Sequence, residues 1–137
     1  MQIITLNANG IRAAARKGFF DWLQQQNATV ICLQETKAQL HQLEDKIFFP
    51  KGYHCYYHSA QKPGYSGVAL YSLQQPDQVR YGLNWPDMDS EGRWLQADSA
   101  EIKDVHKQLR THVKNYDIVT SVGPQIVKTY QTVDNGK

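Results

Sequence analysis

The chain has 137 residues, of which 41% are hydrophobic and 20% are charged. This composition is typical of one ordinary globular domain and excludes an intrinsically disordered chain. The net charge of +2 is too small to argue by itself for a nucleic-acid ligand. No apolar run approaches membrane-spanning length, and neither cysteine has metal-type spacing, so we expect a cytoplasmic protein with no membrane partner.

The first part of the chain predicts a strand, a helix and a second strand. Residues 1–6 are an apolar run rich in isoleucine, residues 12–26 have alanines and then apolar side chains at helical spacing, and residues 29–33 are apolar again. This order predicts a βαβ unit with parallel strands, whose carboxyl ends share one edge of the sheet. Asn7 follows the first strand and Glu35 the second, so we expect both at the edge where open α/β sheets bind ligands.

The middle of the chain predicts further strands separated by turns. A polar stretch at 39–47 has helical character, and it ends at a proline and a glycine. Residues 84–92 contain a proline, a glycine and three acids and predict a loop. The predicted strands are 53–58, 67–72, 78–83 and 93–98, of which the first two have the spacing of a hairpin.

The tail, residues 99–137, differs in character from the chain before it. Apolar residues at helical spacing over 102–116 predict an amphipathic helix, and short strands are predicted at 117–122 and 126–133. The helix has two interpretations, a partner-binding helix or a cover for an apolar sheet face; the second is preferred because a bare face would aggregate. The chain ends just after an Asn-Gly hairpin signal, which indicates a chain that is cut short.

Five blocks of the first 98 residues occur in the order that one known protein family has. They are Ile3-Ile4-Thr5-Leu6-Asn7-Ala8-Asn9-Gly10-Ile11-Arg12-Ala13, Lys17-Gly18-Phe19, Ile31-Cys32-Leu33-Gln34-Glu35-Thr36-Lys37-Ala38-Gln39, Gly64-Tyr65-Ser66-Gly67-Val68-Ala69 and Glu91-Gly92-Arg93. Each block alone is a weak signal, but together they make the chain resemble the exodeoxyribonuclease III family of DNA repair nucleases. The resemblance implies an α/β fold: part of a two-sheet α/β sandwich, with one mixed sheet, flanking helices and an unplaced helix–strand tail.

The resemblance also implies an activity and a set of site residues. Such proteins are Mg²⁺-dependent (or Mn²⁺-dependent) phosphodiesterases that act on double-stranded DNA at abasic sites and 3′ ends. The position matching Glu35 is a metal ligand, and the position matching Asn7 lies beside it in the metal site. The positions that touch the DNA backbone match Arg12, Ala13, Lys17 and Tyr65.

The resemblance stops after Asp98, which divides the chain into residues 1–98 and an unmatched tail, 99–137. The family continues with a Gly-Asp-x-Asn motif and a final Ser-Asp-His motif, and neither occurs in the 137 residues. These motifs supply the base and the histidine of the family's reaction, so no catalytic residue is assigned here. General acid–base catalysis is worth about 10²–10⁴-fold, and we therefore expect hydrolysis to be impaired in this chain.

Each of these residues also has an ordinary structural interpretation. Glu35 is compatible with a surface glutamate after a strand, and Asn7 with a turn residue. The cations near Arg12 and Lys17 are compatible with a solvated helix face. For Arg93 a salt bridge and a DNA contact are both left open. For the whole chain, the alternatives to a nuclease are a non-catalytic DNA-binding or interaction module and a non-functional fragment, and no protein partner is specified.

Overall fold

The computed structural model describes residues 2–99, 117–118 and 131–132. Two compact units are formed, one by residues 1–75 with 81–95 and the other by residues 76–80 with 96–137. The helices are α1 (Ile11–Arg16), α2 (Phe19–Gln24) and α3 (Pro86–Asp89). The strands are β1 (Ile3–Asn7), β2 (Val30–Gln34), β3 (His54–His58), β4 (Val68–Ser72), β5 (Gln78–Tyr81), β6 (Leu95–Asp98), β7 (Asp117–Ile118) and β8 (Gln131–Thr132).

The first unit contains a four-stranded mixed sheet in the order β1-β2-β4-β3. β1 and β2 run parallel, with Ile3 opposite Val30 and Asn7 opposite Gln34. β4 runs antiparallel to both of its neighbours. The predicted α/β class, the mixed sheet and the parallel first pair are therefore confirmed.

The hydrophobic core of this unit lies between the sheet and the two helices of the crossover. β2 and β4 contribute alternate residues to it, because successive side chains of a strand point to opposite faces. The buried members from these four elements are Ile31, Leu33, Ala69, Tyr71, Ile11, Phe19, Phe20 and Leu23. The residues of β2 from Val30 to Leu33 are all at most 7% exposed, as expected for an inner strand.

The single helix predicted over residues 12–26 is wrong in one respect, because it is broken into α1 and α2. Gly18 lies at the break with φ +89, in the left-handed region that favours glycine. The buried face of the second helix also differs from the face that the sequence predicts. Phe20 is 2% exposed, whereas Trp22 is 45% exposed although its spacing from Phe19 favours burial.

Two other local predictions are corrected in the same way. Residues 39–47 form two short 3₁₀ helices, Leu40–Gln42 and Lys46–Phe48, because Gln39 and Asp45 each cap a new turn. The predicted loop at 84–92 contains α3. Asp89 organises that segment by accepting hydrogen bonds from the backbone N–H groups of Leu83 and Trp85.

The predicted strands at 78–83 and 93–98 appear in shorter form as β5 and β6, which pair in a two-stranded sheet. In the second unit, β7 and β8 pair antiparallel, with Asp117 opposite Thr132. The helix predicted over 102–116 lies outside the described residues, as do most of the predicted strands at 117–122 and 126–133. Within the part of the chain that is described, no helix has the length and apolarity needed to cross a membrane.

Candidate functional site

Glu35 and Asn7 meet at the carboxyl edge of β1 and β2, as the sequence predicts. The parallel register places Asn7 beside Gln34, so the residue after β2 lies next to the end of β1. The interaction with the Asn7 side chain is the largest influence that lowers the pKa of Glu35. An amide and a carboxylate from neighbouring parallel strands thus lie side by side at the edge where such sheets bind ligands.

Glu35 begins a strained turn of three residues. Glu35 and Lys37 both have φ +51, a left-handed conformation that is uncommon for residues with a side chain. Thr36 between them is 1% exposed. The turn directs the Thr36 side chain inward and leaves the charged side chains on either side in solvent contact. Strained backbone of this kind persists only where the surroundings fix it, and it is common at functional sites.

The surroundings that fix the turn are two loops, one on each side. From the loop after β1, the N–H groups of Gly10 and Ile11 donate to the carbonyls of Glu35 and Thr36, at 2.8 and 2.9 Å. The turn therefore continues the pairing of β1 with β2 beyond the end of both strands. It also ties the start of α1 to the residue that carries the carboxylate.

The loop before β4 holds the opposite side of the turn. The N–H groups of Thr36 and Lys37 donate to the carbonyls of Gly67 and Ser66, at 3.1 and 2.8 Å. Gly67 has φ +88, and a Cβ there would lie 2.3 Å from Thr36 Oγ1. Only glycine fits this position, which explains why a glycine stands three residues after Gly64 in the Gly-Tyr-Ser-Gly loop.

Cationic and amide groups surround the Glu35 carboxylate. Lys37 Nζ lies 3.2 Å from Glu35 Oε2 and donates to Asn9 Oδ1 at 2.7 Å. The hydrogen bond from Asn7 lowers the pKa of Glu35 most, and the hydrogen bond from Lys37 lowers it further. Glu35 is therefore ionised at neutral pH, as a ligand of a hard cation must be.

The chemistry of these groups fits a divalent hard cation held in part by the protein. Mg²⁺ keeps several waters and is commonly bound through one or two carboxylates together with substrate phosphates. Glu35 supplies one such carboxylate, with 44% of its side chain exposed. The Asn7 oxygen already accepts the Asn9 N–H at 3.0 Å, so Asn7 is held beside the carboxylate. The described residues contain no cluster of three or more His, Cys, Asp or Glu that would hold a metal alone.

The predicted DNA-contacting residues lie on two segments that flank this turn. Arg12 and Lys17 are exposed and Ala13 is half-buried, all on α1 or at its end. Ala13 and Lys17 also line an open cavity of about 440 Å³ beside α1 and β1. Tyr65 lies in the loop before β4, on the other side of the turn. Both segments are hydrogen-bonded to residues 35–37, so the predicted DNA residues lie on elements that adjoin the turn.

One contact of this site is not predicted by the sequence. Arg93 forms the salt bridge expected for it, with Glu91, and its Nη2 also donates to the Tyr65 hydroxyl at 2.8 Å. The two residues are 28 positions apart, and no periodicity or spacing links them. The Glu-Gly-Arg block is the one signal that singled out Arg93, and it carries no information about Tyr65.

Relatives that resemble the chain in sequence include two DNA nucleases. The chain is 46% identical over 99 residues to an exodeoxyribonuclease of Bacillus subtilis (strain 168) and 36% identical over 100 residues to the DNA repair nuclease APEX1 of Danio rerio. Each match covers 72% of this chain, but only 38% and 32% of the relatives. The chain therefore spans less than two fifths of the length of these relatives.

The comparison of folds gives the same relationship. The structure of an AP endonuclease from Archaeoglobus fulgidus superposes with a TM-score of 0.61 at 32% identity, covering 73% of this chain and 38% of that one. A family model described as Endonuclease/Exonuclease/phosphatase family matches residues 4–119. The predicted boundary at residue 98 stays a prediction. The matched range is most of the chain, and on this ground the chain belongs to the endonuclease/exonuclease/phosphatase family, with DNA repair nucleases among its relatives.

Proposed function

We propose that the chain provides the first half of the active site of a Mg²⁺- or Mn²⁺-dependent phosphodiesterase that hydrolyses double-stranded DNA at abasic sites or 3′ ends. The observation that carries this proposal is the ionised Glu35 carboxylate, held by Asn7 on a turn that two loops fix. This is a preorganised oxygen ligand at the carboxyl edge of parallel strands. The names of the relatives, an exodeoxyribonuclease and AP endonucleases, support the substrate class.

Glu35, Asn7 and Lys37 each have a separate task in this proposal. Glu35 binds the cation and Asn7 holds the carboxylate in one orientation. The bound ion would supply charge stabilisation on a phosphate oxygen and on the leaving oxygen. Lys37 neutralises the carboxylate until the ion binds, and its ammonium group is then available for a DNA phosphate.

The duplex would be held by contacts that are independent of base sequence. Arg12, Lys17 and the N–H of Ala13 present donors on α1, and Tyr65 presents one on the opposite loop. Contacts of this kind position a strand without reading its bases, which suits an enzyme that recognises damage or an end. A cytoplasmic location remains part of the prediction from the sequence.

Hydrolysis by this chain alone is proposed to be impaired. The reaction needs a base within hydrogen-bond reach of the attacking water, and no residue is assigned to that role. Loss of such a group costs about 10²–10⁴-fold in rate. Metal-assisted DNA binding, rather than turnover, is therefore the property to measure first.

The test is duplex binding with and without Mg²⁺. Fluorescence anisotropy with an abasic-site duplex should give tighter binding when Mg²⁺ replaces EDTA at constant ionic strength, and E35Q should lose that response. D21N is the matched control, because Asp21 is an exposed acid on α2 outside the turn. An equal Mg²⁺ response in wild type and E35Q would contradict the metal site. Incision at the rate of a full-length relative would contradict the impairment.

A non-catalytic DNA-binding module is the second candidate. The observation that favours it is the set of exposed cations at the site, since these bind DNA whether or not the reaction proceeds. Salt-dependent duplex binding that is indifferent to Mg²⁺ and to E35Q, with no incision, is the result expected for it.

A further inference from the structure

Arg93 is held on two sides in the first unit. Its Nε forms an ion pair with Glu91, and its Nη2 donates to the Tyr65 hydroxyl at 2.8 Å. The guanidinium carbon also lies 5.7 Å from the centroid of the Tyr65 ring, within cation–π range. A side chain with three such contacts is oriented, although 47% of it is exposed.

The backbone that carries Arg93 is fixed as well. Gly92 has φ +59, and a Cβ there would lie 2.6 Å from Ala60 N, so the turn packs directly on the chain that leaves β3. The Gln61 N–H donates to the Ser90 carbonyl at 2.8 Å across the same contact. The positions of Glu91 and Arg93 relative to the Tyr65 loop therefore do not depend on long flexible connections.

Arg93 and Tyr65 have hydrogen-bond donors left for a ligand. Arginine has five N–H donors and no acceptor, so in the Arg93–Tyr65 hydrogen bond the tyrosine oxygen accepts. Among the described residues, Glu91 and Tyr65 use two of the five N–H groups, and three are left. The Tyr65 O–H hydrogen also remains, since no acceptor for it is found within the described part of the chain. An O–H that accepts from a cation is polarised and becomes a stronger donor.

The charge around these donors is suited to an anion. The Lys62 ammonium lies 5.2 Å from the centroid of the Tyr65 ring, so a second cation besides Arg93 stands at Tyr65, and the one carboxylate shown here pairs with Arg93.

We propose that Tyr65 and Arg93 form one phosphate-binding pair, in which Glu91 positions Arg93 and both residues donate to oxygens of a single DNA backbone phosphate. The proposal rests on the proposed function, because that function makes DNA the ligand. It gives Arg93 both roles that the sequence left open for it, a salt bridge and a DNA contact, and it adds Glu91 as a positioning residue. It also gives Tyr65 a specific donor role.

The experiment measures binding of an abasic-site duplex by anisotropy in EDTA at several NaCl concentrations, so that the metal site does not contribute. R93M and Y65F are each expected to weaken binding by about 10-fold, the scale of one charge-assisted hydrogen bond. R93M should also lower the salt slope by about one. The double variant should bind about as weakly as R93M alone, because the two residues act on one phosphate.

E91Q separates positioning from simple charge. Removal of an acid strengthens DNA binding if only net charge matters, whereas release of Arg93 weakens it if Glu91 positions the guanidinium. We expect E91Q to bind more weakly, by about threefold. R93K should also bind more weakly than the wild type, because lysine lacks the planar guanidinium that bonds to Glu91 and Tyr65 at the same time. K51M, at an exposed lysine of the turn before β3, is the control and should bind like wild type.

The outcomes distinguish this inference from the function on which it rests. A wild-type chain that does not bind duplex overturns the proposed DNA contact itself. A wild-type chain that binds, with independent effects of Y65F and R93M or with tighter binding by E91Q, overturns the phosphate pair and leaves the rest of the site in place. Thermal unfolding of each variant checks that a loss of binding does not follow from a loss of structure.

Discussion

At the scale of single residues, the site depends on backbone conformations that side chains rarely adopt. Glu35 and Lys37 are left-handed, and Gly67 leaves the space that Thr36 occupies. The buried Thr36 hydroxyl also costs folding free energy, because its Oγ1 has no hydrogen-bond partner among the described residues. Stability is given up at the turn so that the carboxylate has one position.

Gly67→Ala tests this cost directly. The new Cβ would lie 2.3 Å from Thr36 Oγ1 in a left-handed backbone, so strain and overpacking both oppose it. We expect a loss of about 2–4 kcal/mol in the free energy of unfolding, measured by urea denaturation. Gly64→Ala is the control: Gly64 has φ +68 but nothing within 4 Å of a Cβ, so only about 1–2 kcal/mol should be lost. Equal losses in the two variants would show that the Thr36 contact costs nothing.

At the scale of elements, the break between α1 and α2 decides which side chains reach the core. Gly18 turns the chain so that Phe19, Phe20 and Leu23 pack on the sheet, and Trp22 is left at the surface. A continuous helix would change where Lys17 stands relative to the loop that contacts Glu35.

Gly18→Ala is expected to destabilise the protein although alanine is the better helix former. Alanine reduces the conformational freedom of the unfolded chain, which is worth about 0.4–1 kcal/mol. It must adopt φ +89 to keep the break, and this costs about 1–2 kcal/mol, so a small net loss in the free energy of unfolding should follow. Gln24→Ala, at an exposed position of α2, should change it by less than about 0.5 kcal/mol. A gain in stability from Gly18→Ala would mean that the break is not needed.

At the scale of the whole molecule, the elements near the N-terminus and the meeting of Asn7 with Glu35 were predictable, and much of their surroundings was not. The βαβ rule needs only the order of the elements, and it places two chain positions at one edge without any knowledge of contacts. The left-handed turn at Glu35 has no glycine to reveal it. The Arg93–Tyr65 bond joins distant positions, and such tertiary contacts leave no trace in local spacing.

The pH dependence of stability depends on all the groups whose pKa values change when the protein folds. The Asn7 and Lys37 hydrogen bonds lower the pKa of Glu35 from its ordinary value of 4.5, so the contribution of Glu35 is present above pH 4.5 and is lost as pH falls below it. Burial raises the pKa of Cys55 from 9.0 to about 12 and that of Tyr71 well above 10.0. Their contribution is present below pH 9 and is lost as pH rises towards 12.

Urea denaturation across this range should therefore give a plateau between about pH 5 and 9 with a decline on each side. E35Q should flatten the acid side and leave the alkaline side unchanged. An acid side that is identical in wild type and E35Q would contradict the hydrogen bonding described for the carboxylate.

The hydrogen bonds that hold residues 35–37 between two loops also have a consequence for the order in which the protein folds. These hydrogen bonds join Gly10 to Glu35 and Thr36 to Gly67, positions separated by 35 − 10 = 25 and 67 − 36 = 31 residues. Contacts of such separation close large loops and form only after those loops have lost their conformational freedom. The strands of the sheet are joined across similar separations, 30 − 3 = 27 residues from Ile3 to Val30 and 68 − 34 = 34 from Gln34 to Val68, so the carboxylate acquires its position together with the sheet. A chain in which the sheet has not yet formed therefore has no site for a cation at Glu35.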